Sequence, residues 1–117
     1  MSTILHVEDE SSIRLLYKEV FEELGYQVIQ ASTGEEALSL LRTNRPDIII
    51  LDLKMPGMGG RVFIKKFQKM KMKIPVVVST AYPYFSGDPI LPDVDAFVLK
   101  SGDMEDLVNK VQELLKK

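Results

Sequence analysis

A chain of 117 residues has room for one hydrophobic core, so a single domain over residues 1–117 with no separate output domain is the expectation. Hydrophobic residues at 45% and charged residues at 27% argue against extended disorder, and a net charge of -2 gives no global reason to bind nucleic acid. The absence of cysteine excludes a disulfide framework, a thiolate metal site and a thiol nucleophile.

Short apolar runs of strand type alternate with longer stretches at helical spacing, which is the pattern of a parallel α/β sheet. The start, "MSTILHVEDE", has no basic stretch followed by an apolar one, and no apolar run is long enough to cross a bilayer. A cytoplasmic protein without membrane contact is therefore expected. "TILHV" reads as the first strand. Ile13, Leu16, Tyr17, Val20 and Leu24 mark one face of a helix begun by Ser11 or Ser12 and closed by Gly25. "YQVIQ" alternates and is predicted to lie nearer an edge. Thr33 and Glu36 form a T-x-x-E capping box opening a helix that runs to about Asn44, where Arg45-Pro46 ends it.

Ile48, Ile49, Ile50 and Leu51 form a strand apolar on both faces, hence central. Phe63, Phe67 and Met70 set the stripe of the next helix, "IPVVVST" is a second buried strand and "VDAFVL" the last. Asp103 is the expected N-cap of a final helix whose core face is Met104, Leu107, Val108, Val111 and Leu114. Between the last two strands lies "YPYFSGDPILPD", residues 82–93. Its prolines and glycine predict a short or irregular segment in place of a regular fourth helix, with Tyr84, Phe85, Ile90 and Leu91 covering the sheet.

In an open parallel sheet, ligands bind beyond the carboxyl ends of the strands. Glu8 and Asp9 leave strand one, Asp52 leaves strand three, Thr80 leaves strand four and Lys100 leaves strand five, so all five point at one rim. Two carboxylates ~4 Å apart repel by about 4 kcal/mol at an effective dielectric of 20, so three together require a counter-charge. A hard divalent cation, most simply Mg2+, supplies it. Each residue alone has an ordinary reading: Asp52 as a turn residue, Glu8 and Asp9 as partners of a helix N-terminus, Thr80 as a strand-end hydroxyl, Lys100 as a surface lysine. Their joint placement is what carries the functional reading. His6 reads as a packed strand residue, and "KKFQKMKMK" as a solvated helix face whose Phe67 and Met70 serve the core.

"VEDE", "LDLKMPG", "STA" and "FVLK", in this order at strand ends, resemble the receiver domain of bacterial two-component response regulators. The resemblance covers the whole chain. It implies a flavodoxin-like, doubly wound five-stranded parallel sheet of order 2-1-3-4-5. It implies that Asp52 is the phosphoacceptor, taking phosphate from a histidine kinase or a histidine phosphotransfer protein. Mg2+, or Mn2+ in its place, would be held by Glu8, Asp9, Asp52 and the Met55 backbone carbonyl. Glu8 stands where aspartate is more frequent, which implies a water-bridged contact. Lys100 would neutralise a phosphoryl oxygen, the Thr80 hydroxyl would bond another, and Phe97 would be the aromatic switch residue.

"FEELGYQV", "KMPGMGG" and "TAY" most resemble the stand-alone sporulation phosphorelay receivers, and Lys54 and Tyr82 stand where side chains tune dephosphorylation. Ile13 and Arg14, with Ser101 and Gly102, would dock the phosphodonor. Two positions depart from the pattern. Ser101 replaces the proline that usually follows the lysine in a cis bond; cis before serine costs about 3 kcal/mol, so a trans peptide with a shifted loop or a strained exception is expected. Gly59 stands where aspartate is common. The irregular 82–93 segment weakens the usual output and dimerisation surface, so a monomer is expected. The function implied is a relay or protein-binding switch with an unidentified downstream partner. It is not a turnover enzyme beyond its own Mg2+-dependent phosphorylation and dephosphorylation. Two alternatives stand beside it: an unphosphorylated adaptor, and a phosphohydrolase of the haloacid dehalogenase type. The second is disfavoured because Lys54 occupies the place of its acid-base carboxylate.

Overall fold

The computed structural model describes residues 1–53, 59–81, 94–100 and 104–116. In chain order the elements are β1 (Thr3–Val7), α1 (Ser11–Glu23), β2 (Gln27–Ala31), α2 (Gly34–Leu41), β3 (Ile48–Leu51), α3 (Gly59–Lys69), β4 (Val76–Thr80), β5 (Ala96–Leu99) and α4 (Glu105–Leu115). The five strands form one parallel sheet in the order β2-β1-β3-β4-β5, as expected, with β2 and β5 at the edges. The order reverses between β1 and β3, so the crevice for a ligand lies at their carboxyl ends.

Strand alternation divides the core into two layers. Leu5, Val7, Ile49, Leu51, Val76 and Val78 face α2 and α3, where Ala37, Leu41, Phe63, Ile64 and Phe67 cover them. Ile4, Ile48, Ile50, Val77 and Val98 face α1 and α4, under Tyr17, Phe21, Leu107 and Val111. Every residue of β3 and β4 is buried, which is why these strands read as continuous apolar runs.

Local chemistry sets the helix ends. Gly25, at φ +97°, closes α1: its amide bonds the Glu22 carbonyl at 3.0 Å and the Tyr26 amide bonds Phe21 at 3.0 Å, the Schellman pattern. Thr33 caps α2 by accepting from the Glu36 amide at 3.1 Å. The Glu36 carboxylate returns one residue further out than the capping box requires, to the Ser32 amide at 2.6 Å. The core face of α4 is the one expected, with Leu107 and Val111 buried and Met104, Val108 and Leu114 packed beside them.

Four expectations are corrected. In α1, Leu16 and Leu24 are 45% and 47% exposed, and Phe21 is buried in their stead: the helix turns its Ile13–Tyr17–Phe21 stripe to the sheet. Helix α2 ends at Leu41, short of Asn44, because its last turn tightens to i→i−3 bonds, Arg42 amide to Ser39 carbonyl and Thr43 amide to Leu40 carbonyl, each 3.2 Å, while the Asn44 side chain also bonds the Leu40 carbonyl. The second strand starts at Gln27, since Tyr26 is spent in closing α1. The N-cap of α4 is Met104 and not the expected Asp103, and its side chain makes no capping hydrogen bond. The expected irregular segment 82–93, with its covering residues Tyr84, Phe85, Ile90 and Leu91, lies outside the described residues, as does the Lys100–Ser101 peptide geometry.

Candidate functional site

Four strand ends meet at the crevice. The Glu8 amide bonds Ala31 at 3.0 Å, the Asp52 amide bonds Val7 at 3.1 Å and the Lys100 amide bonds Thr80 at 2.7 Å, so each residue continues its ladder by one step before the chain turns away. Glu8 is 1% exposed, Asp52 7% and Thr80 1%. Asp9 is exposed at the rim. One carboxylate oxygen from each of Glu8, Asp9 and Asp52 falls within 4.8 Å of the others. The Lys100 ammonium bridges two of the three acids, 2.6 Å from Glu8 Oε1 and 3.3 Å from Asp52 Oδ2.

This donor set fits a small hard cation. Mg2+ takes hard oxygen ligands at about 2.1 Å, which puts neighbouring ligands about 3 Å apart, so the three carboxylates would draw together by up to about 2 Å to share one ion. They would supply part of the oxygen set of such an ion, with waters and a substrate oxygen completing it. Met55, whose carbonyl was the fourth ligand expected, lies outside the described residues.

Burial pushes the Glu8 carboxyl up to about 7; the Lys100 hydrogen bond opposes this, the Asp52 charge adds to it, and the Glu10 amide at 3.2 Å opposes it slightly. For Lys100, burial works against the ammonium, but the bond to Glu8 and the charges of Asp52 and Glu8 outweigh it and raise its pKa, so Lys100 stays charged. The Arg14 guanidinium donates to the Glu8 carbonyl at 2.7 Å and pins the β1–α1 turn that carries both acids. Gly60 lets the first turn of α3 abut the acidic loop: a Cβ there would lie 2.6 Å from the Leu53 Cα and 3.0 Å from the Asp52 carbonyl.

The structure thus brings together Glu8, Asp9, Asp52, Thr80 and Lys100. Phe97 is half-buried against the α2–α3 layer. Ile13 is half-buried in the α1–α4 layer, and Arg14 turns its head to Glu8. Lys54, Tyr82, Ser101 and Gly102 lie outside the described residues. Sequence reasoning missed the support given by Arg14 and Gly60, and also a polar cluster beneath the acids. There His6, 1% exposed, stacks on Tyr17 with ring centroids 4.4 Å apart, and its Nδ1 lies 3.2 Å from Gln30 Nε2. Burial, then Lys100 and Arg14, hold His6 down to about 3, so the ring is neutral and Nδ1 accepts. The paired glycines of "MGG" were the available signal for the close approach at Gly60.

Comparison with known proteins agrees with this geometry. The family described as response regulator receiver domain matches residues 4–112. Sporulation initiation phosphotransferase F of Bacillus subtilis is 43% identical over 79 residues, 68% of this chain and 64% of that protein. The alkaline phosphatase synthesis transcriptional regulatory protein PhoP of the same organism is 42% identical over 78 residues, 67% of this chain and 32% of that protein. Among solved structures, the response regulator TrrA of Thermotoga maritima in complex with Mg2+-BeF superposes with a TM-score of 0.92 at 37% identity, covering 97% of this chain and 99% of that one. The complex of histidine kinase ThkA with TrrA gives 0.91 at 37% identity, covering 98% and 99%.

Proposed function

The chain belongs to the response regulator receiver family, and on that premise we propose that it accepts a phosphoryl group on Asp52 from a phosphohistidine and serves as a relay or protein-binding switch. The observation that carries this reading is the convergence of Glu8, Asp9 and Asp52 within 4.8 Å under the Lys100 ammonium. An Asp52 oxygen attacks phosphorus, the P–N bond to the donor imidazole breaks, and an acyl phosphate forms. Such transfers run through a loose transition state and need positioning and cations more than covalent chemistry. Bound Mg2+, held by Glu8, Asp9, Asp52 and the Met55 carbonyl, would spread the charge developing on the phosphoryl oxygens.

The chain's own residues supply the remainder. Lys100, held between Glu8 and Asp52, is one short side-chain movement from a phosphoryl oxygen on Asp52. The buried Thr80 hydroxyl takes another oxygen, and with Phe97 it reports the new charge to the β4–β5 edge. Lys54 and Tyr82 stand at the sequence positions that the family resemblance assigns to tuning the lifetime of the acyl phosphate, and we assign them that role here. Ile13 and Arg14 on α1, with Ser101 and Gly102 by resemblance, are the residues assigned to docking the donor. The donor class, a histidine kinase or histidine phosphotransfer protein, is supported by the kinase complex of a protein with the same fold. A cytoplasmic location and a monomeric state accord with this reading; among the described residues no helix is long and apolar enough to cross a membrane.

Incubation with acetyl phosphate and Mg2+, read by intact mass, tests the proposal. A single phosphoryl adduct that disappears with EDTA and in Asp52→Asn is expected. An adduct that persists in Asp52→Asn refutes Asp52 as the acceptor, one that forms in EDTA refutes the metal requirement, and no adduct from the parent protein returns the adaptor reading.

A further inference from the structure

Beneath the acids, the layer between the sheet and α1 holds polar side chains where Ile4, Phe21, Ile50, Val77 and Val111 are otherwise apolar. The Tyr17 hydroxyl and Ser79 Oγ lie 2.9 Å apart, with the residues 5% and 2% exposed. Tyr17 is stacked on His6, two residues before Glu8, at an interplanar angle of 14°. Gln30 Nε2 reaches His6 Nδ1 at 3.2 Å and donates to the Arg14 carbonyl at 2.6 Å, while Arg14 donates to the Glu8 carbonyl at 2.7 Å. A continuous path therefore runs from Ser79, through α1 and the first two strands, to the residue bearing the innermost acid.

Burying a phenol and a serine hydroxyl carries a desolvation cost that their mutual bond largely offsets, and apolar side chains of similar volume would fill the same space without it. What the polar pair adds is direction: a hydroxyl bond fixes the position of its partner along the strand, which an apolar contact does not. Ser79 immediately precedes Thr80, and by strand alternation the two side chains leave opposite faces of β4. Tyr17 thus grips the end of β4 from the α1 side while the Thr80 hydroxyl is presented on the other.

We propose that Tyr17 is a positioning residue for phosphoryl transfer, acting through Ser79 to hold Thr80 in register with Asp52. The inference rests on the reading of Asp52 as the phosphoacceptor. Tyr17→Phe keeps the ring and its stacking on His6 and removes only the hydroxyl. At saturating Mg2+ and acetyl phosphate, Tyr17→Phe and Ser79→Ala should each slow adduct formation roughly 3- to 10-fold, and the double variant should be no slower than either single one. Mg2+ affinity should not change. The deciding comparison is made in a Thr80→Ala background, where Tyr17→Phe should have no further effect on the rate, since the group it positions is gone. An equal loss of rate with and without Thr80, a change in Mg2+ affinity, or no loss at all overturns the proposal. If Tyr17→Phe fails to fold by circular dichroism, Ser79→Ala in the two backgrounds decides the matter alone. Failure of the underlying reading is distinct, because the parent protein would then form no adduct on Asp52.

Discussion

The elevated Glu8 carboxyl makes metal binding pH-dependent in a window where ordinary carboxylates are silent. Glu8 rises from 4.5 to about 7, and a metal ligand must be deprotonated to bind. At pH 8 about nine-tenths of Glu8 is ionised and at pH 6 about one-tenth, so the apparent Mg2+ association constant should fall about tenfold over those two units. Below pH 6 it should continue to fall about tenfold per unit. The sole histidine does not confound the slope, because its ring titrates at about 3. Calorimetric titration with Mg2+ at pH 6, 7 and 8 and constant ionic strength measures the effect directly. Repeating pH 7 in buffers of different ionisation heat counts the proton released. Glu8→Gln binds more weakly but should lose the slope. A parent affinity that is flat from pH 6 to 8, or a slope that survives in Glu8→Gln, would refute the argument that burial controls this carboxyl.

The same shift fixes the sign of a stability effect in EDTA. Glu8 is a raised acid, so its contribution to folding is fully present below its unfolded value of 4.5 and lost as pH rises through about 7; the Tm of the parent should fall from pH 5 to 8 more steeply than that of Glu8→Gln. Gly60→Ala places a methyl against the Leu53 backbone, which cannot yield as a side chain would. Denaturant unfolding should show a loss of about 1–3 kcal/mol, and displacement of Asp52 should slow phosphorylation more than tenfold, to an extent of about 10²-fold for a 1 Å shift. Thr33→Ala removes the α2 cap and should cost about 1 kcal/mol in the same unfolding assay.

The sheet was legible because its signals are local. β3 and β4 are buried on both faces and therefore show no alternation, and each strand end is marked by the acid, hydroxyl or lysine that follows it. The placement of five site residues on one rim then follows from parallel topology alone. The face of α1 was not legible. Leu15, Leu16, Val20 and Leu24 supply a second apolar stripe beside Ile13, Tyr17 and Phe21, and periodicity cannot choose between stripes that overlap. The choice turns on Tyr17, whose hydroxyl meets Ser79 from 62 residues away. Arg14 on the Glu8 carbonyl and Gly60 against Leu53 are likewise meetings of residues from different elements, and no spacing within one segment announces them.

The charge arrangement at the rim meets part of the demand for a counter-charge that three converging acids make. Lys100 sits 2.6 Å from Glu8 and 3.3 Å from Asp52, so the ammonium already neutralises part of the site. Metal binding at such a site is an exchange of cations more than an addition of one. On the proposed reading, bound Mg2+ would favour ionised Glu8 and compete with Lys100 for its carboxylate, and the lysine so loosened would be the group assigned to the phosphoryl oxygen. Because the exchange moves charge between partly buried groups, salt should screen it less than it screens the exposed Lys110–Glu113 pair on α4. On that reading the acid with the raised pKa and the lysine beside it would work together, loading of the cation also freeing the cationic arm.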